Sequence, residues 1–116
     1  MQYMLLIYVD ENREAAMSEE EFGRLFAEYE KFDEAVREKG IVLSTAALQP
    51  TSTATTVQVR DGKTITMDGP YAEAKEHLGG YYMLECADLD EALEWAAKIP
   101  DAAHGTIEVR PKMVFG

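Results

Sequence analysis

Two segments set the terms for any fold open to this chain: Tyr3–Val9 (YMLLIYV) and Tyr81–Cys86 (YYMLEC). Each is short, carries aromatic and aliphatic side chains, and is apolar at both alternations. Successive side chains of a strand point to opposite faces, so such segments call for burial on both sides. A cover on one face leaves the other as an exposed apolar patch of a size that monomers rarely tolerate. The chain therefore needs two covering layers, or one layer and a partner.

One layer is legible. Ser18 and Glu21 form an S-x-x-E capping box, and beyond it Phe22, Leu25, Phe26, Tyr29, Phe32 and Val36 recur at spacings of three and four. This predicts a helix over residues 18–39 with a single apolar stripe, closed by Arg37, Lys39 and Gly40. Asp88 and Glu91 make a second capping box, and Leu89, Ala92, Leu93, Trp95 and Ala96 predict a short helix to about residue 98, ahead of Pro100. Strands are expected at 41–49, 56–60, 63–67 and 106–110, with DENREAAM as a polar loop. Asp61-Gly62 between the alternating runs TVQVR and KTITM signals a hairpin.

The order is then β-α-β, an inserted hairpin, and β-α-β. That is an α+β chain with a ferredoxin-like split βαβ pattern and both helices on one face of an antiparallel sheet. Two helices cover only one face, so the other is expected to pair with a second copy in a homodimer. A length of 116 residues fits one domain, 1–116.

Charge narrows the functional classes. The net charge of -11 repels phosphate backbones and anionic membranes, and no basic cluster offsets it, which excludes direct nucleic-acid binding. No apolar run approaches the ~20 residues a membrane span requires, and the opening lacks a basic leader. The expected location is the reducing cytoplasm. The single cysteine, Cys86, allows neither an intrachain disulfide nor a Cys-x-x-Cys motif and reads as a small core residue.

The residues that carry chemistry concentrate in TMDGPYAEAKEHLGGYY, 66–82. Asp68-Gly69-Pro70 is a turn, and Asp68 either closes an Asx-turn on its own backbone or stands free as a base. AEAKEHL has the length for one or two helical turns, which would bring Glu73 to face Glu76 and His77. Two carboxylates and an imidazole at that spacing prepare proton transfer, or else form a solvated face. No second histidine or cysteine stands at ligand spacing from His77, so no metal is expected, and His104 reads as an exposed turn residue. There is no phosphate loop, nucleophile elbow or nucleotide fingerprint, so no cofactor is expected. Tyr8, Tyr71, Tyr81 and Tyr82 either line an apolar pocket with polar tips or pack an interface.

MDGPYAEAKEHLGGYYMLE, LDEALEWAAKIP, GTIEVRP and the opening YMLLIY together resemble the DGPF-type proteins of the YCII-related family, over almost the whole chain. Tyr71 stands where phenylalanine is usual. The resemblance implies a dimeric α/β barrel on the ferredoxin-like pattern. The wider family was thought enzymatic through a histidine and an aspartate acting together. That histidine would fall early in the first long helix, where EEEFGRLFAEYEKF has none, which leaves Asp101 as at most an orphaned aspartate. Some relatives are associated with sigma factors, which implies a regulatory alternative.

The expectations are then three. In the first, a cofactor-independent, enzyme-like barrel holds a small apolar or aromatic ligand. Asp68 or Glu76 is its base, Lys75 or His77 the electrostatic partner, Tyr8 and Tyr82 the walls, and Tyr71 and Glu73 further ligand contacts. In the second, an interaction module meets a sigma factor. In the third, the motif only shapes the barrel mouth.

Overall fold

Tyr3–Val9 and Tyr81–Cys86 occupy the middle of the sheet, where segments apolar on both faces belong. The computed structural model describes residues 1–116 and orders them as β1 (Gln2–Val9), α1 (Glu11–Ala15), α2 (Glu19–Glu38), β2 (Val42–Ala47), β3 (Thr55–Arg60), β4 (Lys63–Asp68), β5 (His77–Glu85), α3 (Leu89–Lys98) and β6 (Thr106–Pro111). Short 3-10 turns lie at Thr51–Thr53 and Pro100–Ala103. The main sheet is antiparallel in the order β2-β5-β1-β6, so β5 splits the β1–α2–β2 crossover.

One face of this sheet is covered. Tyr3, Leu5, Ile7 and Val9 of β1 and Tyr82 and Leu84 of β5 pack with Phe32 and Val36 of α2 and with Ala92, Trp95 and Ala96 of α3. Phe32 sits edge-on to Tyr82 and to Trp95, with ring centroids 5.2 and 6.1 Å apart. Cys86 is buried in the same cluster, and burial, followed by the neighbouring Glu91, pushes its thiol up to about 11.

The other face has no cover. Met4, Leu6, Tyr8, Tyr81 and Met83 alternate with the core residues and are only half-buried, with no helix above them. The sheet stays open, so the barrel implied by the resemblance is not closed within one chain.

Three local features differ from the sequence expectation. DENREAAM is not a loop throughout, because the Asp10 carboxylate accepts from the backbone N–H of Asn12 at 3.0 Å and of Arg13 at 3.4 Å and starts α1. At α3 only half a capping box forms, Asp88 accepting from the Glu91 backbone N–H at 2.9 Å; at α2 the Ser18–Glu21 box is complete. AEAKEHL forms no helical turn, and β5 begins at His77, four residues before the expected Tyr81 and ahead of Gly79 and Gly80. The hairpin is as read: Asp61 and Gly62 have φ of 51° and 74°, the two positive values of a type I′ turn. No helix is long and apolar enough to cross a membrane.

Candidate functional site

The α2 stripe divides. Phe32 and Val36 are buried, whereas Phe22 and Phe26 remain 57% and 59% exposed. Side chains spaced to enter a core therefore stand clear of it over the first half of the helix. Between that half and the facing ends of β2 and β5 lies a cleft of about 810 Å³, a volume suited to a small molecule. Phe22, Leu25 and Phe26 line it from the helix, and Ala47, Leu48 and Pro50 from β2 and the loop after it. The Glu11 carboxylate ties α1 to that loop by accepting from the Thr51 backbone N–H at 3.0 and 3.3 Å. This hydrogen bonding holds the Glu11 carboxyl below its ordinary value, against the opposing effect of partial burial.

Asp101, which is only 6% exposed and follows Pro100 in the turn after α3, lines the cleft from the sheet side of α2. The Tyr29 hydroxyl, one turn beyond Phe26, donates to Asp101 Oδ2 at 2.5 Å. Burial first and then the carboxylate drive the Tyr29 pKa far upward, so the hydroxyl stays protonated and acts as a donor. Glu14 also lines the cleft; burial, then Asp101 and Glu11, raise its pKa. No lysine, arginine or histidine lines the cleft, and its ionisable side chains besides tyrosine are three carboxyls. An anionic ligand is repelled there, and a neutral or cationic one is not.

A second tyrosine–carboxylate pair supports the wall. The Tyr82 hydroxyl donates to Asp33 Oδ1 at 2.7 Å, and Arg37 Nε donates to Asp33 Oδ2 at 2.8 Å. Burial, reinforced by Asp33, pushes the Tyr82 hydroxyl up to about 12. For Asp33 partial burial acts to raise the pKa, but the hydrogen bonds from Tyr82 and Arg37 outweigh it and the net shift is downward. The signs fix a pH response. Both hydroxyls hold protons more tightly folded than unfolded, so their contribution is complete below the ordinary value of 10.0 and falls as pH rises above it, that of Tyr82 being lost by about 12 and that of Tyr29 at higher pH still. Stability measured by urea unfolding should fall across that window, and the double variant Tyr29→Phe/Tyr82→Phe should flatten the fall; an equal slope in both proteins would contradict it. Asp33 acts in the opposite sense, its contribution being present above 3.8 and lost as pH falls below it.

The DGPYAEAKEH segment lies outside this cleft. Asp68 ends β4 and is exposed, and Tyr71 is 83% exposed. Glu73, Lys75 and His77 come together around an open depression of about 500 Å³ with Pro70, Ala72 and Ala74; Asp68, Tyr71 and Glu76 do not line it. Glu76 is half-buried and accepts from the Thr106 hydroxyl at 2.8 Å, an anchor between the loop and β6. Tyr8 and Tyr82 do not wall a common site in the chain: alternation places Tyr82 on the helix side and Tyr8 on the uncovered face. His104 is an exposed turn residue.

Phe22, Leu25, Phe26 and Tyr29 read from the sequence as a core stripe, and Asp101 only as the orphaned aspartate of a pair that lacks its histidine. The first four matched a core stripe, and spacing cannot distinguish a stripe that reaches the sheet from one that stops short. Asp101 did carry a signal: an aspartate set among Ile99, Pro100, Ala102 and Ala103 sits in an apolar stretch where a carboxylate needs a partner.

A family described as the YCII-related domain matches residues 1–115. An uncharacterised protein of Rhizobium meliloti (strain 1021) is 40% identical over 117 residues, covering 99% of this chain and 94% of the relative.

Proposed function

This chain belongs to the YCII-related domain family, and we propose that it binds a small apolar or aromatic molecule, uncharged or cationic, in the cleft between α2 and the ends of β2 and β5. The observation that carries this reading is the split stripe: aromatic side chains spaced for a core instead line an open cleft that contains a buried carboxylate. Desolvated apolar walls supply affinity, and a few convergent polar groups orient the ligand. Tyr29 offers a hydroxyl that remains protonated, and Asp101 a carboxylate that accepts from it. The single Tyr29 proton is committed to Asp101, so the pair acts through the remaining carboxylate lone pairs, which can accept a hydrogen bond or a proton from the ligand as the base of a cofactor-independent reaction. The pair takes the place that the sequence reading gave to Asp68, Lys75 and Glu76. In this reading the motif loop is an accessory rim, with Glu73, Lys75 and His77 able to contact a ligand that extends beyond the cleft.

The working unit in this proposal is a homodimer on the ferredoxin-like pattern. Met4, Leu6, Tyr8, Tyr81 and Met83 meet their counterparts across the uncovered sheet faces, and the two sheets together make the barrel. A thermal-shift screen of small aromatic amines, phenols, lactones and carboxylates tests the ligand claim. Neutral or cationic compounds should raise the melting temperature of the wild type and not of Phe22→Ala/Phe26→Ala, which strips two aromatic side chains from the wall, while carboxylates should have no effect. Equal shifts in both proteins, or stabilisation by carboxylates alone, would contradict the assignment.

A further inference from the structure

The carboxyl groups of the cleft differ in how far the chain itself satisfies them. Both oxygens of Glu11 accept from the Thr51 backbone N–H. Asp101 commits Oδ2 to the Tyr29 hydroxyl, whereas its Oδ1 accepts from no group of the chain. That oxygen belongs to a side chain only 6% exposed, yet it is not sealed off, and its opening is to the cleft that Asp101 lines. Glu14, half-buried on α1, accepts no hydrogen bond and forms no ion pair. Two partly desolvated carboxyl groups thus line one cavity without a counter-charge, an arrangement that a bound cation relieves.

The walls decide which kind of cation. A metal ion needs several donors closing on one point, and nowhere in the chain do three His, Cys, Asp or Glu side chains gather in that way. The cleft is instead lined by aromatic and aliphatic groups: Phe22 and Phe26 one turn apart on α2, Leu48 from the loop after β2, and Tyr81 from β5. Such walls bury an apolar body, and aromatic ring faces attract a positive charge as well. A volume of about 810 Å³ is far more than an ammonium group alone would fill and leaves room for a ring.

We infer that the ligand is an arylalkylamine, whose protonated nitrogen donates to Asp101 Oδ1 and to the Glu14 carboxylate while its ring lies against Phe22 and Phe26. This assignment rests on the cleft being the ligand site and narrows its ligand to an organic cation. A pH response follows. Burial, then Asp101 and Glu11, raise the Glu14 pKa against the opposing charge of Arg13; α2, β2 and β5 bring no ionisable group but tyrosine to the cleft. Glu14 therefore takes up its proton above the ordinary value of 4.5 and stops attracting a cation there, while the amine remains charged.

Isothermal titration calorimetry with phenethylamine and phenethyl alcohol, which share a ring and a chain and differ in charge, tests the assignment. The wild type should bind the amine at least about ten-fold more tightly than the alcohol. That ratio should decline as pH falls towards 4.5. Glu14→Gln should reduce the ratio at least about three-fold and flatten its pH dependence. Equal affinities in the wild type, or a ratio that Glu14→Gln retains in full, would overturn the inference and leave the cleft as a site for neutral ligands. Amine affinity that survives Phe22→Ala/Phe26→Ala would place the amine outside the cleft and also refute it. If neither compound binds, the cleft reading itself falls, and the inference with it.

Discussion

Gly105→Ala is expected to cost at least about 3 kcal/mol of stability, although it adds a single methyl group. A Cβ at this position would lie 2.2 Å from the Tyr8 carbonyl oxygen and 3.3 Å from that of Asp101. Both obstacles are backbone, so no side-chain rotation relieves the clash, and the start of β6 has to move away from β1. The Gly105 N–H donates to the Asp101 carbonyl at 2.6 Å, so the shift also displaces the turn that presents Asp101 to the cleft. Ligand-induced stabilisation should fall with the folding stability. Gly23→Ala supplies the contrast: nothing lies within 4 Å of its Cβ, and in the interior of α2 it should gain about 0.5–1 kcal/mol. Urea unfolding of the two variants checks the pair, and a Gly105→Ala protein as stable as the wild type would refute the close approach.

Leu6→Glu and Met83→Glu should each weaken the proposed dimer by at least about 100-fold, or about 2.7 kcal/mol. Leu6 lies opposite Tyr81 and Glu108, and Met83 opposite Met4 and Ser44, all on the uncovered face. In a lone chain a carboxylate at either position points to water and leaves the core of Leu5, Leu84 and Val36 untouched. In a face-to-face pair it is pressed against a largely apolar partner face and desolvated. The expected result is a folded monomer with native circular dichroism and a halved mass by sedimentation. Dimers that persist in both variants would place the interface elsewhere.

Strand and helix positions were legible because their signals are local. Asp61-Gly62 fixes its turn through backbone conformation alone, and the Ser18–Glu21 box closes within a single helical turn. The two doubly apolar segments did become the central strands. What was not legible depended on contacts distant in sequence. Tyr29 and Asp101 are 72 residues apart and meet only once α3 has been laid on the sheet. Phe22 and Phe26 obey the same spacing as Phe32, and only the placement of α2 separates the lining from the core. The reading of residues 68–77 as a site rested on the density of charged side chains and on the family motif; a charge-rich loop is equally what solvent favours, and Asp68 and Tyr71 are exposed. Tyr8 and Tyr82 read from the sequence as walls of one cleft, whereas alternation and the pairing of β1 with β5 send them to opposite faces of the sheet.

The most direct test of the central claim, that the cleft rather than the motif loop receives the ligand, is amide chemical-shift mapping by NMR with the best compound from the thermal-shift screen. The account predicts perturbations at Phe26, Tyr29, Ala46–Gln49 and Asp101 that saturate together, and no such response from Phe22→Ala/Phe26→Ala. Perturbations confined to Tyr71–Lys75, or to Met4, Leu6 and Met83 on the uncovered sheet, would contradict it.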